Sequence, residues 1–593
     1  MSLGATPFPA KGSGAQCTRA YRRVNRWRSN HVCTQEPRCL CFPAHLELHL
    51  QLCTIKMPVR RKFMKSDMTS YAARFLRHRL PRVCVALFAS NPADFMAKIE
   101  AASNENSLLE LRLDYLAKPA LLLAKLKQFS GFHRDITLIA TCRRAVNGGK
   151  FRGSVASQFD LLLKAAGTGC QLVDIELETA NALKAHEIDK LRQQAGVIIS
   201  FHDYRGTKKL EETWDAMRQL PADYIKIVST AKSLADNVKM MRLLEQRSDI
   251  LSTVGVCMGE RGIISRILNV RSGSAFTFAA AQPGEETAPG QIPARVLRDV
   301  FRIDMVDAAT KVYGVAGDPV GQSLSPQMMN TAFRRENINA VYVPLQTTDV
   351  VDLLRCVSEI PVQGLSITMP LKEVIMGHLD KTDALSAKIG ACNTLIRAQD
   401  GKLYGFNTDV AGVVRPLEQR LNLVGAKVLV IGAGGAARAA VFGLKERNAE
   451  VWVMNRTAEK GQKLARHAHA HYVSHPQLKK LEFDVIINAT PVGMNGSRPQ
   501  APLEESELRT RYLFEMVYNP AETRLLKMAR AKGIQVIPGS EMFVHQGARQ
   551  FEIWTGKPAP VEDMHRAVLH ALGIVQPAAS IREPSALSQL KRG

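Results

Sequence analysis

The sequence predicts an α/β protein built as a (β/α)8 TIM barrel followed by a two-domain α/β region with its own parallel sheet. Three observations predict it. Eight short, apolar, strand-like runs, at 83–88, 109–113, 137–142, 172–177, 197–201, 224–228, 253–257 and 276–278, alternate with amphipathic stretches, as in a barrel whose site gathers where the strands end. A polar stretch at 302–310 then breaks the rhythm, and a second series begins at Lys311. Within that series the apolar run 428–431 opens into Gly432-Ala433-Gly434-Gly435 and a small-residue helix start, the strand, glycine turn and helix of a Rossmann unit.

At 593 residues the chain exceeds what one hydrophobic core serves efficiently, so several domains are expected. Residues 1–79 lack sustained periodicity and are rich in Arg, which suits a disordered extension or a targeting segment. The barrel is expected over 80–305, a substrate domain over 311–412 completed by about 540–575, and the Rossmann domain over 413–539. The net charge of +24 invites a nucleic-acid reading, but residues 1–65 alone contribute +10 of it, and the remaining excess is thinly spread and suits anionic small molecules equally. No nucleic-acid partner, metal or membrane span is expected, and no oligomeric state is specified. Six of the eleven cysteines lie singly at apolar positions, as buried thiols do in a reducing compartment. The cytoplasm is expected, or a plastid if the first segment is a transit peptide.

In the barrel, Lys226 stands in Asp-Tyr-Ile-Lys-Ile-Val, where alternation turns its amine inward with Tyr224 and Val228. An apolar setting favours an uncharged amine, which attacks ketones to form a Schiff base. A lone strand lysine is more often a structural ion-pair partner, and its company decides otherwise. His202 ends the preceding strand, Arg143 ends another, and Glu110, Arg112 and Asp114, each two residues apart, share one face. Burying three such charges is costly unless they pair or bind a ligand.

Glu110-Leu-Arg112, Thr141-Cys-Arg143, Ser200-Phe-His202-Asp203, Lys226, Ser265-Arg266 and Thr287-Ala-Pro-Gly-Gln291 together make residues 80–300 resemble the type I 3-dehydroquinate dehydratases. The resemblance implies that Lys226 forms an imine with the substrate ketone, that His202 moves the adjacent proton, and that Arg266 clamps a carboxylate. Arg143, Glu110, Arg112, Thr287 and Gln291 would position hydroxyls and ring. One departure stands out: Asn147 occupies a position where relatives often carry a Glu that holds the catalytic His. An amide can orient an imidazole but cannot stabilise its cation, so a weaker base is expected.

In the second half a glycine loop offers close backbone approach and free helix N–H groups to a pyrophosphate. The following strand ends in Asn455-Arg456-Thr457, where an NAD unit usually has an acidic residue for the ribose. A cation there fits a 2′-phosphate, so NADP is the expected cofactor. Gly321-Gln-Ser323-Leu-Ser325, Ser366-Ile-Thr368-Met-Pro-Leu-Lys372, Asn393-Thr394, Asn407-Thr-Asp409, Val517-Tyr-Asn-Pro and Gln546 resemble shikimate dehydrogenase segments over 311–575. The resemblance implies Lys372 and Asp409 as the catalytic pair. Ser323, Ser325, Thr368, Asn393 and Gln546 would hold substrate, and Gly432, Ala433, Gly434, Gly435, Asn455, Arg456, Thr457 and Gly539 would hold NADP. Gln322 and Ser366 replace the family's usual His and Asn, so altered substrate affinity is expected, with quinate a possible competitor.

The chain is therefore expected to be a bifunctional shikimate-pathway enzyme, converting 3-dehydroquinate to 3-dehydroshikimate and reducing that to shikimate. The alternative is a non-catalytic quinate- or shikimate-responsive regulator. A regulator should have lost catalytic groups, whereas Lys226, His202, Lys372 and Asp409 are all present.

Overall fold

The computed structural model describes residue 76, residues 80–494 and residues 500–574. The extension expected over 1–79 thus lies outside the described residues, except for Leu76. That side chain packs with Leu80 into the apolar cluster at the floor of the first domain.

All eight runs expected to be barrel strands are strands: β1 (Val83–Leu87), β2 (Leu108–Arg112), β3 (Thr137–Thr141), β4 (Leu172–Glu176), β5 (Gly196–His202), β6 (Tyr224–Thr230), β7 (Thr253–Met258) and β8 (Thr277–Ala280). They lie side by side in chain order, all parallel, with β1 paired to β8. Outward residues such as Val85, Leu109, Leu138, Val173 and Ile199 pack under the surrounding helices. Each such buried aliphatic side chain contributes about 1.5–3 kcal/mol. Inward residues near the strand starts, Cys84, Leu108, Ile139, Leu172, Ile198, Tyr224 and Val254, fill an apolar floor. Two residues further along four of the same strands stand Glu110, Asp174, Ser200 and Lys226, all buried. Alternation therefore stacks a polar layer directly upon the apolar one.

The barrel is nearly closed. No strand ladder joins β7 to β8. One backbone bond, Ala275 N–H to Thr253 O at 2.9 Å, begins the seam, and the Asn269 side chain completes it. Asn269 Nδ2 donates to Gly255 O at 3.1 Å on β7 and to Phe276 O at 3.4 Å just before β8. A side-chain amide thus supplies what the missing ladder does not.

The next sheet holds β9 (Lys311–Gly317), β10 (Ala340–Gln346), β11 (Val362–Ile367), β12 (Lys381–Thr382), β13 (Thr394–Arg397) and β14 (Leu403–Phe406) in the order β10-β9-β11-β13-β14-β12. It is mixed, because β13 runs antiparallel to both β11 and β14. The third sheet comprises β15 (Lys427–Ile431), β16 (Glu450–Met454), β17 (His471–Tyr472), β18 (Phe483–Asn488), β19 (Thr510–Glu515) and β20 (Gln535–Ile537). All of its pairings are parallel, and its order, β17-β16-β15-β18-β19-β20, is that of a Rossmann sheet with its switch point between β15 and β18. The helix Gly539–Thr555 then returns to the second sheet, where Trp554 Nε1 donates to Leu395 O at 2.8 Å and Phe551 joins the core of Tyr313, Phe333 and Tyr342. Among the described residues no helix is long and apolar enough to cross a membrane.

If Asn269 holds the seam, Asn269→Ala leaves the buried Gly255 carbonyl without its donor, while Phe276 O keeps the Ser274 hydroxyl, and should cost the barrel about 1–3 kcal/mol. The check is the denaturant midpoint for loss of activity at the barrel site, with an unchanged midpoint counting against the seam.

Candidate active sites

The polar layer of the barrel is a single network. Lys226 Nζ lies 2.9 Å from Asp174 Oδ2 and 3.1 Å from Glu110 Oε1, with the Phe278 ring centroid at 3.8 Å. Thr141 donates to Glu110 at 2.9 Å, and Ser200 donates to Asp174 at 2.6 Å. Burial opposes charge on Asp174, but Lys226 and Arg143 overrule it and hold its carboxyl below the ordinary range. The amine is therefore not in the apolar setting its sequence neighbours suggested. It is clasped by two carboxylates, because a strand residue's spatial neighbours come from adjacent strands.

His202, the last residue of β5, lies against Arg143, whose Nη1 is 2.7 Å from Nδ1 and touches Nε2 as well. Arg143 also donates to Asp174 at 3.2 Å. A guanidinium only donates, so the imidazole meets it with a lone pair. Burial first, and then Arg143, Lys226 and Arg112, hold the His202 pKa well below the usual imidazole value. The side chain stays neutral, as a base must. Asn147 does not orient it. The Asn147 side-chain amide instead donates to Glu178 at 3.2 Å, and the Asn147 backbone carbonyl accepts from the hydroxyl of Tyr204, whose ring stacks at 6.2 Å from that of His202. The expectation that Asn147 substitutes for a His-holding Glu is thereby corrected, since the loop turns its side chain toward the helix Leu177–Ala182.

Arg112 and Asp114 form a bidentate pair, both bonds 2.9 Å, beside this network. Arg266, in the helix Ile263–Leu268 after β7, is different. It is 1% exposed and donates to the Pro289 carbonyl at 3.0 Å, yet no carboxylate faces it, and its Nε has no partner. Burial alone lowers its pKa to about 10. A buried guanidinium without a counter-charge is a site for an anion. Thr287 and Gln291 bond each other in the loop above it, 2.6 Å from Thr287 N–H to Gln291 Oε1.

The second constellation lies between the other two sheets. Lys372 Nζ is 2.5 Å from Asp409 Oδ2, and Asn393 Nδ2 donates to Asp409 Oδ1 at 2.7 Å. Asp409 is buried, whereas the Lys372 side chain is 23% exposed, so the amine faces a cleft. Ser325 is buried at the start of the helix Ser325–Arg335 and its N–H donates to Ser323 Oγ at 3.2 Å. Thr368 follows β11 and bonds Ala316 O through its N–H, and Gln546 donates to Phe543 O within its own helix. Gln322 is exposed and lines a cavity of about 670 Å³ together with Gln346 and the Thr287–Gln291 loop. The Ser366 hydroxyl is not free for a ligand: it accepts from Tyr342 and donates to Gln550.

Gly432 has φ +125°, and a Cβ there would lie 3.0 Å from Ala489 O, so only glycine fits this turn. Ala433 follows it, and Gly434 precedes the helix Gly435–Lys445, whose first turn has no side-chain cap. Gly435 brings that loop to Lys372, whose Cδ lies 4.0 Å from where a Cβ would stand. At the end of β16 Asn455 Nδ2 donates to Thr457 O at 2.8 Å, while Arg456 is exposed with no partner among the described residues. Gly539 packs against the Val517 backbone too closely for any Cβ. Uncapped helix N–H groups and an unpaired guanidinium one strand away fit a phosphorylated dinucleotide such as NADP.

Asp174 is the member of this polar layer that sequence reasoning passed over. Its signal was present in Leu-Val-Asp-Ile-Glu, where Asp174 follows Leu172 by the same two-residue step that separates Lys226 from Tyr224.

Comparison with known proteins adds to this geometry. A family model described as type I 3-dehydroquinase matches residues 83–308. The shikimate dehydrogenase substrate binding domain matches 315–395, shikimate / quinate 5-dehydrogenase 416–494, and the shikimate 5′-dehydrogenase C-terminal domain 539–569. The chain is 35% identical over 485 residues to a chloroplastic bifunctional 3-dehydroquinate dehydratase/shikimate dehydrogenase of Arabidopsis thaliana, covering 77% of this chain and 78% of that one. It is 39% identical over 272 residues to a shikimate dehydrogenase (NADP(+)) of Pyrococcus furiosus, covering 45% of this chain and 97% of that one. A shikimate 5-dehydrogenase of Thermus thermophilus, solved with NADP(H) and shikimate, is 34% identical, covers 44% of this chain and 100% of its own, and gives a TM-score of 0.42.

The depressed pKa of His202 fixes the sign of a pH effect. The base stays unprotonated until pH falls through that lowered value, so kcat/KM at the barrel site should hold below pH 6.5, the unperturbed imidazole value. Arg143→Gln removes a flanking cation and should move the acid limb to higher pH, and an unmoved limb would show that Arg143 does not set it.

Proposed function

Since the chain belongs to the family of bifunctional 3-dehydroquinate dehydratase/shikimate dehydrogenase proteins, we propose that Lys226 and His202 perform the dehydration and that Lys372 and Asp409 perform the NADPH-dependent reduction. The observation that carries this is Lys226 clasped by Glu110 and Asp174 beside a neutral histidine and an unpaired buried arginine.

The substrate carboxylate supplies the counter-charge that Arg266 lacks, and this places the ketone near Lys226. Attack requires the amine to pass a proton to a neighbouring base. The C–N bond then forms, the carbonyl oxygen leaves as water, and the product iminium again carries one positive charge. Glu110 and Asp174 thus face a cation before and after condensation, so the site needs little rearrangement. The iminium draws electrons from the adjacent C–H bond. His202 takes that proton once the ligand has drawn Arg143 off the imidazole, and a proton goes to the departing hydroxyl. Hydrolysis of the imine releases 3-dehydroshikimate and restores Lys226.

In the dehydrogenase half NADPH, when bound along Gly432 to Gly435 with Arg456 on its 2′-phosphate, supplies the hydride. Lys372 donates the proton that the carbonyl oxygen needs as negative charge grows on it, and Asp409 keeps the ammonium aimed. Ser323, Ser325, Thr368, Asn393 and Gln546 surround the substrate and Gly539 the cofactor. All four catalytic side chains are present and paired, which favours an enzyme over a ligand-responsive regulator. The six described cysteines are buried free thiols, which suits the cytoplasm or, as in the Arabidopsis relative, a plastid.

Borohydride added with 3-dehydroquinate should leave a stable adduct on Lys226, seen by peptide mass, and Lys226→Ala should show none; an adduct on another lysine would reassign the nucleophile. Arg456→Ala should raise KM for NADP about tenfold or more while leaving NAD kinetics unchanged, as expected for one lost charge-assisted contact. Equal changes with both cofactors would remove Arg456 from the phosphate.

A further inference from the structure

The reaction as described leaves unused a buried chain of side chains beneath Lys372 and Asp409. It starts at Tyr342 in β10, fully buried, whose hydroxyl donates to Ser366 Oγ at 2.5 Å. Burial raises the Tyr342 pKa, so the phenol keeps its proton and remains a donor. Ser366 donates to Gln550 Oε1 at 2.7 Å. Gln550 is 1% exposed, and its Nε2 donates to the Asn393 carbonyl and to Thr394 Oγ1, both at 3.0 Å. Thr394 donates to Asn393 Oδ1 at 2.8 Å, and Asn393 Nδ2 reaches Asp409.

The chain has one direction. Turning the Gln550 amide over would set its oxygen against the Asn393 carbonyl oxygen, so the amide is locked. Each donor then points toward the next member and finally toward Asp409, and such chains polarise cooperatively in a dry interior. The chain also accounts for Ser366. A longer Asn at that position would meet the Tyr342 hydroxyl, already 2.5 Å from Oγ, so Ser366 and Tyr342 make a matched pair.

We propose that Gln550, backed by Tyr342 and Ser366, is a positioning residue for the dehydrogenase reaction: it holds the Asn393 carbonyl and the Thr394 hydroxyl, which with Thr408 sets the Asn393 amide plane and thereby the Asp409 carboxylate that aims Lys372. This rests on Lys372 and Asp409 being the catalytic pair. Gln550 is 1% exposed and reaches the Lys372–Asp409 pair through Asn393 and Thr394. The effect of Gln550 and Tyr342 is on kcat and its pH profile, not on nucleotide affinity.

The test uses the full chain, oxidising shikimate with NADP. Gln550→Met keeps the volume and deletes the amide. It should lower kcat about tenfold or more, leave KM for NADP within about twofold, and move the acid limb of the kcat–pH profile, which in the oxidation direction reports the group that accepts the hydroxyl proton, to lower pH. Tyr342→Phe, which deletes one oxygen, should shift the limb in the same direction with a loss of about threefold, and should be informative even if Gln550→Met fails to fold. The double variant should be no slower than Gln550→Met, because the head of the chain then has nothing left to orient. The dehydratase rate of the same molecules, unchanged, controls for intact protein. Losses that multiply, or an unmoved pH profile in Tyr342→Phe, would overturn the proposal. Absence of shikimate oxidation in the unaltered chain would instead overturn the assignment of Lys372 and Asp409.

Discussion

Lys226 sits between Glu110 and Asp174 at the level where the barrel interior passes from apolar floor to polar layer, and the dehydratase half is arranged around that clasp. Three charges in a dry interior are tolerable only if each is paired and its remaining lone pairs are met. Here Thr141 completes Glu110, and Ser200 and Arg143 complete Asp174. Removing the Lys226 amine would leave the Glu110 carboxylate without its ion-pair partner, and an uncompensated buried charge typically costs about 3–5 kcal/mol. The clasp is therefore a structural requirement of the barrel interior as well as the centre of the proposed dehydratase site.

Arg266 shows the converse arrangement. It is as deeply buried, but no carboxylate among the described residues pairs with it, and burial pulls its pKa down to about 10. Lys226 is met by two carboxylates, whereas Arg266 keeps an Nε without a partner. The dehydrogenase half divides the same labour differently. Lys372 stays 23% exposed on a cleft between two sheets, and its carboxylate partner carries the burial instead. Asp409 is the member tied into the interior through Asn393.

What could be read in the sequence follows from which spacings determine direction. In a strand, two residues return a side chain to the same face, so the barrel, its eight strands and the inward facing of Glu110 and Lys226 were legible. Asp174 was legible by the same rule and was passed over, because its strand was read only as apolar. The charge around Lys226 was not legible, since neighbours along a strand are not neighbours across the sheet. Asn147 lies in a short turn after β3, where no period fixes orientation, and its side chain faces Glu178 instead of His202. Gln550 was hidden for another reason. It lies four residues after Gln546 on one helix, yet its partners come from β11 and β13, nearly two hundred residues earlier. The seam at Asn269 was likewise invisible, because it depends on a ladder that fails to form.

The two enzymes are also joined more closely than a linker would require. The helix Leu234–Arg247 follows the strand that carries Lys226, and its first N–H groups have no partner within the helix. Asp352, from the helix Val350–Glu359 of the dehydrogenase half, accepts from Leu234 N–H at 2.7 Å and from Ala235 N–H at 3.1 Å. An anion at a helix N-terminus contributes about 0.3–2 kcal/mol. Arg242 on the same barrel helix pairs with Glu359 at 3.0 Å, and Gln346 donates to Glu260 at 2.7 Å, six residues before Arg266. The substrate domain of the second enzyme thus completes a helix of the first, next to the strand that carries Lys226, so fusion supplies part of the barrel's own structure as well as keeping consecutive reactions on one chain.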